Sequence, residues 1–567
     1  MNDSYNESPA VYIKNIKFNN GKELNFNEDD IIILVGANNV GKSRMIKDIK
    51  NDLTDNFNNK NNKVIIKDIN YTTKNFNYNA LKNYFEKNFY KDNYGNFILL
   101  DEDYNYHSVN FNADVNERDK QIFRGFFSYL STENRLLITK PIFYNNINNK
   151  LNFNIMTELE NKADYIEKLN NFLFDAFEKG VDIADVKINN DLAKNYKIGS
   201  IEEIKKTLSV SRREASAILE RLENLNEQGD GIRSSVGILG SLIVNKGSIY
   251  LIDEPETFLH PPQAKLLGSN IVDLSKNKQC FISTHNIDII KGIMEKNSSR
   301  VKIIKIDREG NTNEFHMLDN KSISKIAENQ SLKYSNLLNG LFYKNVVLTE
   351  DETDSKFYSA ILENVNSKKY QETLFCGVGG KDQFKIIVKL LKELHINYSI
   401  IADIDLISDA HKLKQLCDSC LDNGYSNISD DHHLFLNQFQ SKIDMMVRKQ
   451  SSIKEEILSL FNDDKYISES TIKNIKDILK EGSSLKVLKK SGKSIIPSGE
   501  CMMKYERVVS YLKNLKIYIL ECGEIEGLVK TVEGHGSAWV SNVFRKYPNM
   551  SDEVYYEAKA FIEATIG

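Results

Sequence analysis

The chain reads as α/β, built as two successive domains, and three features carry that reading. A continuous apolar run at 31–35 leads through a glycine-containing loop into a helix-compatible segment at 44–49, as a buried strand followed by a helix would. Two strand-like runs, 248–252 and 279–283, flank a helix-length segment at 262–274, which is βαβ rhythm. A second series of the same kind starts at 345.

Taken in order, the chain opens with sheet. Residues 11–18 and 23–26 alternate around Asn19-Asn20-Gly21-Lys22 as a hairpin does. Residues 52–154 are rich in Asn, Tyr and Phe, with clean periodicity only around 120–130, and predict short strands and surface loops. Apolar residues recur at helical spacing through 157–228 (Ile166, Leu169, Phe172; Ile201, Ile204, Leu208; Ile218, Leu219, Leu222, Leu225) among many charges, so a helical arm is expected there. After the βαβ unit, the second series runs strand 345–348, helix 355–362, strand 374–378, helix 382–394 and strand 398–402. Residues 411–510 are again mostly helical, before a strand at 516–520 and a helical ending.

Composition narrows the function. With 567 residues the chain can bury several cores. Its 75 Lys and Arg against 79 Asp and Glu leave a formal charge of -4, which excludes a polybasic protein and confines any nucleic-acid surface to a local patch. The richest such patch is 471–516, with eleven basic residues against four acids, and DNA lying along Lys486, Lys489, Lys490 and Lys493 is expected. No leader pattern and no run near the roughly 18 apolar residues of a membrane span is visible. A cytoplasmic protein with no membrane partner is therefore expected. Six scattered cysteines make no disulfide framework. Cys417 and Cys420 with adjacent His432 and His433 do not have zinc-ligand spacing.

Gly36-Ala37-Asn38-Asn39-Val40-Gly41-Lys42-Ser43 fits G-x-x-x-x-G-K-[ST] between a strand and a helix. In such a loop backbone N–H groups curl around phosphates, the helix presents its positive end, Lys42 reaches the β and γ oxygens, and Ser43 can ligate magnesium. The strand 248–252 ends in Asp253 and Glu254, one acid to hold the metal through water and one to polarise the attacking water. The segment 253–261, Asp-Glu-Pro-Glu-Thr-Phe-Leu-His-Pro, resembles the Walker B motif and D-loop of ABC-type ATPases of the RecF, SMC and OLD group. Ser283-Thr284-His285 is similar to their switch histidine, and Gly229-Asp230-Gly231-Ile232-Arg233-Ser234-Ser235 to their signature, although it departs from LSGGQ. That resemblance implies ATP as cofactor and two heads closing on it. Gln121 is the candidate for the Q-loop.

A second set of acids, Glu350, Asp351, Glu352 and Asp354 after one strand and Asp403 and Asp405 after another, arrives at one carboxyl edge of a parallel sheet, where ligands bind. Converging carboxylates there call for a cation that prefers oxygen, magnesium or manganese. The pattern resembles a Toprim domain, and the order ATPase then Toprim resembles the OLD (overcoming lysogenization defect) family of nucleases, including Gabija-type and retron-linked defence enzymes. The resemblance implies an ABC-type head over 1–335 with the insertion at about 157–228, and a Toprim domain over 336–567 with a helical insertion at about 411–510. It makes Glu350 a metal ligand or general base, and Asp354, Asp403 and Asp405 further metal-binding acids. Gly379-Gly380-Lys381-Asp382 matches the family's connecting loop, while Asp351 stands where a glycine is usual. Glu524 and Glu526, after the strand 516–520, correspond to its last metal ligands, and Lys530, Lys546 or His535 to its late catalytic lysine.

The implied activity is an ATP-binding, magnesium- or manganese-dependent endonuclease acting on double-stranded DNA, serving anti-phage defence. The implied assembly is a homodimer or higher homo-oligomer through the heads, with room for an accessory defence protein or an RNA or DNA element. The reading from another class is an SMC- or RecF-like ATPase clamp or scaffold whose Toprim site is inactive.

Overall fold

A computed structural model of the chain describes residues 8–54, 64–92, 94–100, 106–109, 120–144, 155–244, 247–296, 299–318, 336–446, 450–461, 467–481 and 484–566. The chain divides into two compact units, Met1–Phe342 and Tyr343–Gly567.

In the first unit a six-stranded sheet has the spatial order Thr312–Leu318, Val301–Glu309, Ile31–Val35, Gln279–Ser283, Ile249–Asp253, Phe127–Leu130. All neighbours are parallel except the first pair. The central strands read IIILV, IYLID and QCFIS and are buried almost throughout, as both faces of a parallel sheet are covered. One face carries the helix Lys42–Thr54 and the antiparallel sheet of Glu23–Asn25, Ala10–Phe18 and Ile66–Lys74. Phe18 stacks on Phe315 there, with centroids 3.7 Å apart. The hairpin expected at 11–26 is present.

The helical arm expected at 157–228 is corrected by the structure. Helices Ala163–Phe177, Ile201–Ser209 and Arg212–Leu219 occur, the last two with Ser capping boxes. Between them, however, Lys179–Ile188 and Asp191–Ser200 form a ten-pair antiparallel hairpin. Its turn is Asn189-Asn190, both left-handed at φ 49° and 71°, the turn whose twist matches paired strands and which asparagine tolerates. Val181 and Ile183 alternate inward beside it.

In the second unit four parallel strands lie in the order Thr373–Gly377, Asn345–Thr349, Tyr398–Asp403, Ile517–Leu520. Helices Glu352–Val365, Gly536–Lys546 and Tyr556–Ile566 cover one face around Phe357, Trp539 and Tyr555. More than a hundred residues separate the third strand from the fourth; their described part is mainly helical. Among the described residues, no helix is long and apolar enough to cross a membrane.

Candidate functional site

Two sites form, one at the carboxyl edge of each parallel sheet. In the first unit, Ile31–Val35 ends at Gly36, whose φ is +146° and whose missing side chain leaves room for the Ile306 carbonyl, 2.2 Å from where a Cβ would sit. Only glycine allows that approach. The loop then exposes Asn38 and Asn39, buries Val40, and passes Gly41 into the helix that Lys42 and Ser43 begin. Lys42 is buried, and its ammonium donates to the carbonyls of Gly36 at 2.8 Å and Ala37 at 3.0 Å. Burial lowers its pKa, against the pull of Glu254, Glu256 and Asp253. A buried cation beside three acids and a helix N-terminus fits a phosphate with its counter-ion.

Asp253 pairs in register with Ser283 and accepts a hydrogen bond from its hydroxyl. Glu254 follows in a left-handed conformation at φ +49°. Its N–H donates to the Ser283 carbonyl at 2.9 Å, and its carboxylate lies 3.4 Å from Nδ1 of His285. The acid expected to polarise water and the switch-like histidine thus meet. Glu256, not singled out from sequence, is buried and holds the His285 turn by accepting from Thr284 Oγ1 at 2.8 Å and His285 N at 3.1 Å. Burial raises its pKa. The residues Gly231 to Ser235 begin the buried helix Asp230–Val244. Gln121 does not occupy a Q-loop: it precedes the strand Phe127–Leu130, which runs parallel to Ile249–Asp253, so it lies off the catalytic edge. At that edge the strand passes through Ser131 into the helix Thr132–Leu137.

In the second unit, Glu350 follows its strand, Asp403 ends the next, and Glu350 Oε1 accepts from Asp403 N at 3.2 Å. Carboxylate oxygens of Glu350, Asp403 and Asp405 all lie within 4.8 Å of one another. Asp351 stands in place of the usual glycine because it caps the next helix, accepting from Thr353 N at 2.7 Å and Asp354 N at 3.2 Å, and its φ of -138° makes no demand for glycine. Glu524 and Glu526 instead form a second triad with His535, whose Nδ1 is 2.7 Å from Glu526. Asp354 belongs to neither triad.

Sequence reasoning missed that two lysines face the acids of this site. Lys381 contacts Asp405 and lies 3.5 Å from Glu350. Lys489 reaches Asp403 at 3.0 Å, Asp405 at 3.7 Å and Glu524 at 3.7 Å, so it bridges the two triads. The expected DNA stripe therefore needs correction. Lys489 faces acids, and Lys493 lies 3.3 Å from Glu506 and 3.4 Å from Glu521. Lys490 is exposed, and the side chain of Lys486 lies outside the described residues. Of the candidates for a late lysine, Lys546 donates to the Thr531 carbonyl at 2.8 Å and His535 sits on Glu526; Lys530 is exposed.

The electrostatics of the first triad show a shortage of positive charge. Burial pushes Asp403 up to about 7, with Glu350 adding to the rise, and raises Glu350 itself. Burial, then the charges of Asp351, Asp403 and Glu350, carry Asp354 up to about 8. Burial opposes the charge on Lys489, but Asp403 and Asp405 outweigh it and raise its pKa. Two lysines thus leave acids that hold protons near neutrality, and Glu526 Oε2 is buried with no hydrogen-bond partner among the described residues. The all-oxygen set of Glu350, Asp403 and Asp405 fits a hard divalent cation, and the second triad adds the His535 nitrogen.

Two segments of the chain match described families. Residues 31–291 match the family described as "AAA domain, putative AbiEii toxin, Type IV TA system", and residues 341–405 the "Overcoming lysogenization defect protein-like, TOPRIM domain". The Old nuclease of Escherichia phage P2 is 26% identical over 188 residues, 31% of this chain and 31% of that protein, so the match spans about a third of the relative's length. Among solved structures, an Smc head bound to the C-winged helix domain of ScpA aligns with 56% of this chain and 100% of its own, at 13% identity and a TM-score of 0.34. An Smc head with an extended coiled coil, bound to the C-terminal domain of ScpA derived from Pyrococcus furiosus, aligns with 56% and 99%, at 12% identity and a TM-score of 0.32. The fold class is the expected one, a P-loop ATPase head followed by a Toprim domain.

Proposed function

We propose, from the matches to an AAA domain and to an OLD-like Toprim domain, that the chain is an OLD-type, ATP-controlled, divalent-cation-dependent DNA endonuclease acting in defence against phage. The observation that carries the reading is the convergence of Glu350, Asp403 and Asp405 on one sheet edge with Lys381 and Lys489 among them. Glu350, Asp403 and Asp405 would hold one cation, and Glu524, Glu526 and His535 a second. Bound there, magnesium or manganese would supply Lewis-acid stabilisation of the attacking and leaving oxygens of a phosphodiester.

The chain's own residues supply the rest. Asp403 and Glu350 are fixed to each other through the Asp403 N–H, so the two strands deliver their acids as one unit. Lys381 and Lys489 balance charge and place ammonium groups where a phosphate would lie. In the head, Lys42 and the loop 36–43 would hold ATP phosphates, Asp253 and Ser43 their metal, and Glu254 would accept a proton from the attacking water with His285 beside it. Two heads closing on ATP, and double-stranded DNA as substrate, belong to the same reading.

The test is supercoiled plasmid incubated with purified protein, with and without magnesium or manganese and with and without ATP. Nicking or linearisation that EDTA abolishes and nucleotide changes is expected. No cleavage under any condition would favour the clamp or scaffold. Lys42→Ala protein should lose ATP binding by at least about 100-fold, because the ammonium is the loop's phosphate-facing charge. Equilibrium binding of a fluorescent ATP analogue measures it, and affinity like the parent's would sink the loop assignment.

Lys489→Met should bind manganese more tightly, by roughly tenfold. Two unit charges about 4 Å apart interact by about 1 kcal/mol even at the dielectric of water, a divalent cation doubles this to about 2 kcal/mol, and salt screening reduces it towards the roughly 1.4 kcal/mol that is tenfold. Calorimetric titration without DNA reads this directly. Weaker binding would mean that Lys489 orders the acids rather than competing with the metal.

A further inference from the structure

Glu254 is held in a conformation that its residue type disfavours, and the structure shows what holds it. At φ +49° a glutamate is strained and persists only when its surroundings over-determine it. Its N–H is fixed to the Ser283 carbonyl on one neighbouring strand. From the other side comes a side chain that neither the sequence motifs nor the chemistry above use, Arg135.

Arg135 is fully buried, in the short helix Thr132–Leu137 that follows the strand Phe127–Leu130. Its Nη1 donates to the Asp253 carbonyl at 2.7 Å, and its Nη2 to the Glu254 carbonyl at 3.2 Å and to Thr132 Oγ1 at 3.3 Å. The fork therefore grips two successive carbonyls, those of the metal-facing acid and of the water-facing acid. Thr257 also donates to the Glu254 carbonyl, from its N–H at 3.1 Å and its hydroxyl at 2.8 Å.

A buried guanidinium is costly, and the chain does little else to repay it. Nε has no partner among the described residues, and burial lowers the pKa to about 10 in spite of Glu256, Asp253 and Glu254 nearby. The backbone of Arg135 is itself clamped. The helix Asp230–Val244 crosses it at Gly237, where a Cβ would stand 2.5 Å from the Arg135 carbonyl. Arg233 of the same helix donates to the neighbouring Leu136 carbonyl at 3.4 Å.

The geometry points to Arg135 as a positioning residue for ATP hydrolysis, which sets the backbone of Asp253 and Glu254 so that the Glu254 carboxylate faces the attacking water. Arg135 acts through the acids whose carbonyls it holds. The helix Asp230–Val244, whose first turns carry the signature-like segment, meets the main chain of Arg135 at Gly237 and is linked through its side chain to the Glu254 carbonyl. The inference rests on the proposed role of Glu254 in hydrolysis.

Arg135→Lys tests it, since lysine keeps the charge but cannot fork to both carbonyls. In the full chain we expect kcat for ATP to fall by about 10- to 100-fold, the cost typical of losing an outer orienting partner, with ATP affinity within about twofold of the parent. Arg135→Met should fall further. The decisive comparison is made in the Glu254→Gln background, where Arg135→Lys should change single-turnover hydrolysis by less than about twofold, because residues acting as one unit are not additive. A proportional loss in both backgrounds, a parallel loss of ATP affinity, or an unchanged kcat in Arg135→Lys would overturn the inference. Glu254→Gln that hydrolyses like the parent would instead overturn the assignment of Glu254, so the two failures are told apart. If Arg135→Lys does not fold, Thr132→Val removes only the acceptor that steadies Nη2, and a several-fold fall in kcat at unchanged affinity is expected.

Discussion

Asp403→Ala protein should remain folded and bind ATP as the parent does, yet cleave plasmid at least about 100-fold more slowly. Loss of a partner that merely orients a metal ligand costs 10- to 100-fold, and Asp403 stands inside the triad itself. Its removal also takes from Lys489 its shortest acid contact, at 3.0 Å, while the main-chain N–H that holds Glu350 is kept. Circular dichroism and nucleotide binding serve as controls for folding, and plasmid conversion on a gel gives the rate. Cleavage at the parent's rate would move the reacting centre away from this sheet edge.

Glu254→Gln should bind ATP with the parent's affinity or better and lose about 10²- to 10⁴-fold in turnover, the range that a positioned general base contributes. The amide keeps the shape and the neighbourhood of His285 at 3.4 Å but cannot take up a proton. Phosphate release under saturating ATP measures the loss, and turnover within threefold of the parent would sink the role. Because Asp253 and Lys42 are untouched, this variant also separates nucleotide binding from hydrolysis. If cleavage responds to ATP in Glu254→Gln as in the parent, binding alone controls the nuclease.

Both sites were legible in the sequence where chemistry sits at the end of a continuous apolar run. Val35 into Gly36, Ile252 into Asp253 and Ala402 into Asp403 each mark a strand end, and a parallel sheet brings such ends to one edge. The hairpin at 179–200 was not legible as sheet, because Asn-Asn is a weaker turn signal than Asn-Gly and its flanking segments carry helical spacing. Lys489 and Arg135 were hidden for another reason. Lys489 meets Asp403 across 86 positions and Arg135 meets Asp253 across 118, so their roles depend on tertiary placement that no local pattern records. Asp351, by contrast, departs from the glycine usual in the family for a reason sequence could have given, since Asp followed by Glu-Thr-Asp is a good helix N-cap.

The long excursion before the strand Ile517–Leu520 also bears on the order in which the sheet forms. Neighbouring strands 345–349, 373–377 and 398–403 are linked by short crossovers, whereas pairing Asp403 with Leu520 must first close a loop of more than a hundred residues. Loop closure of that length costs about 4 kcal/mol of chain entropy before any contact repays it, and distant parallel pairing is slow to form. A three-stranded sheet bearing Glu350, Asp403 and Asp405 is thus expected to pair before the strand that brings in Glu524 and Glu526.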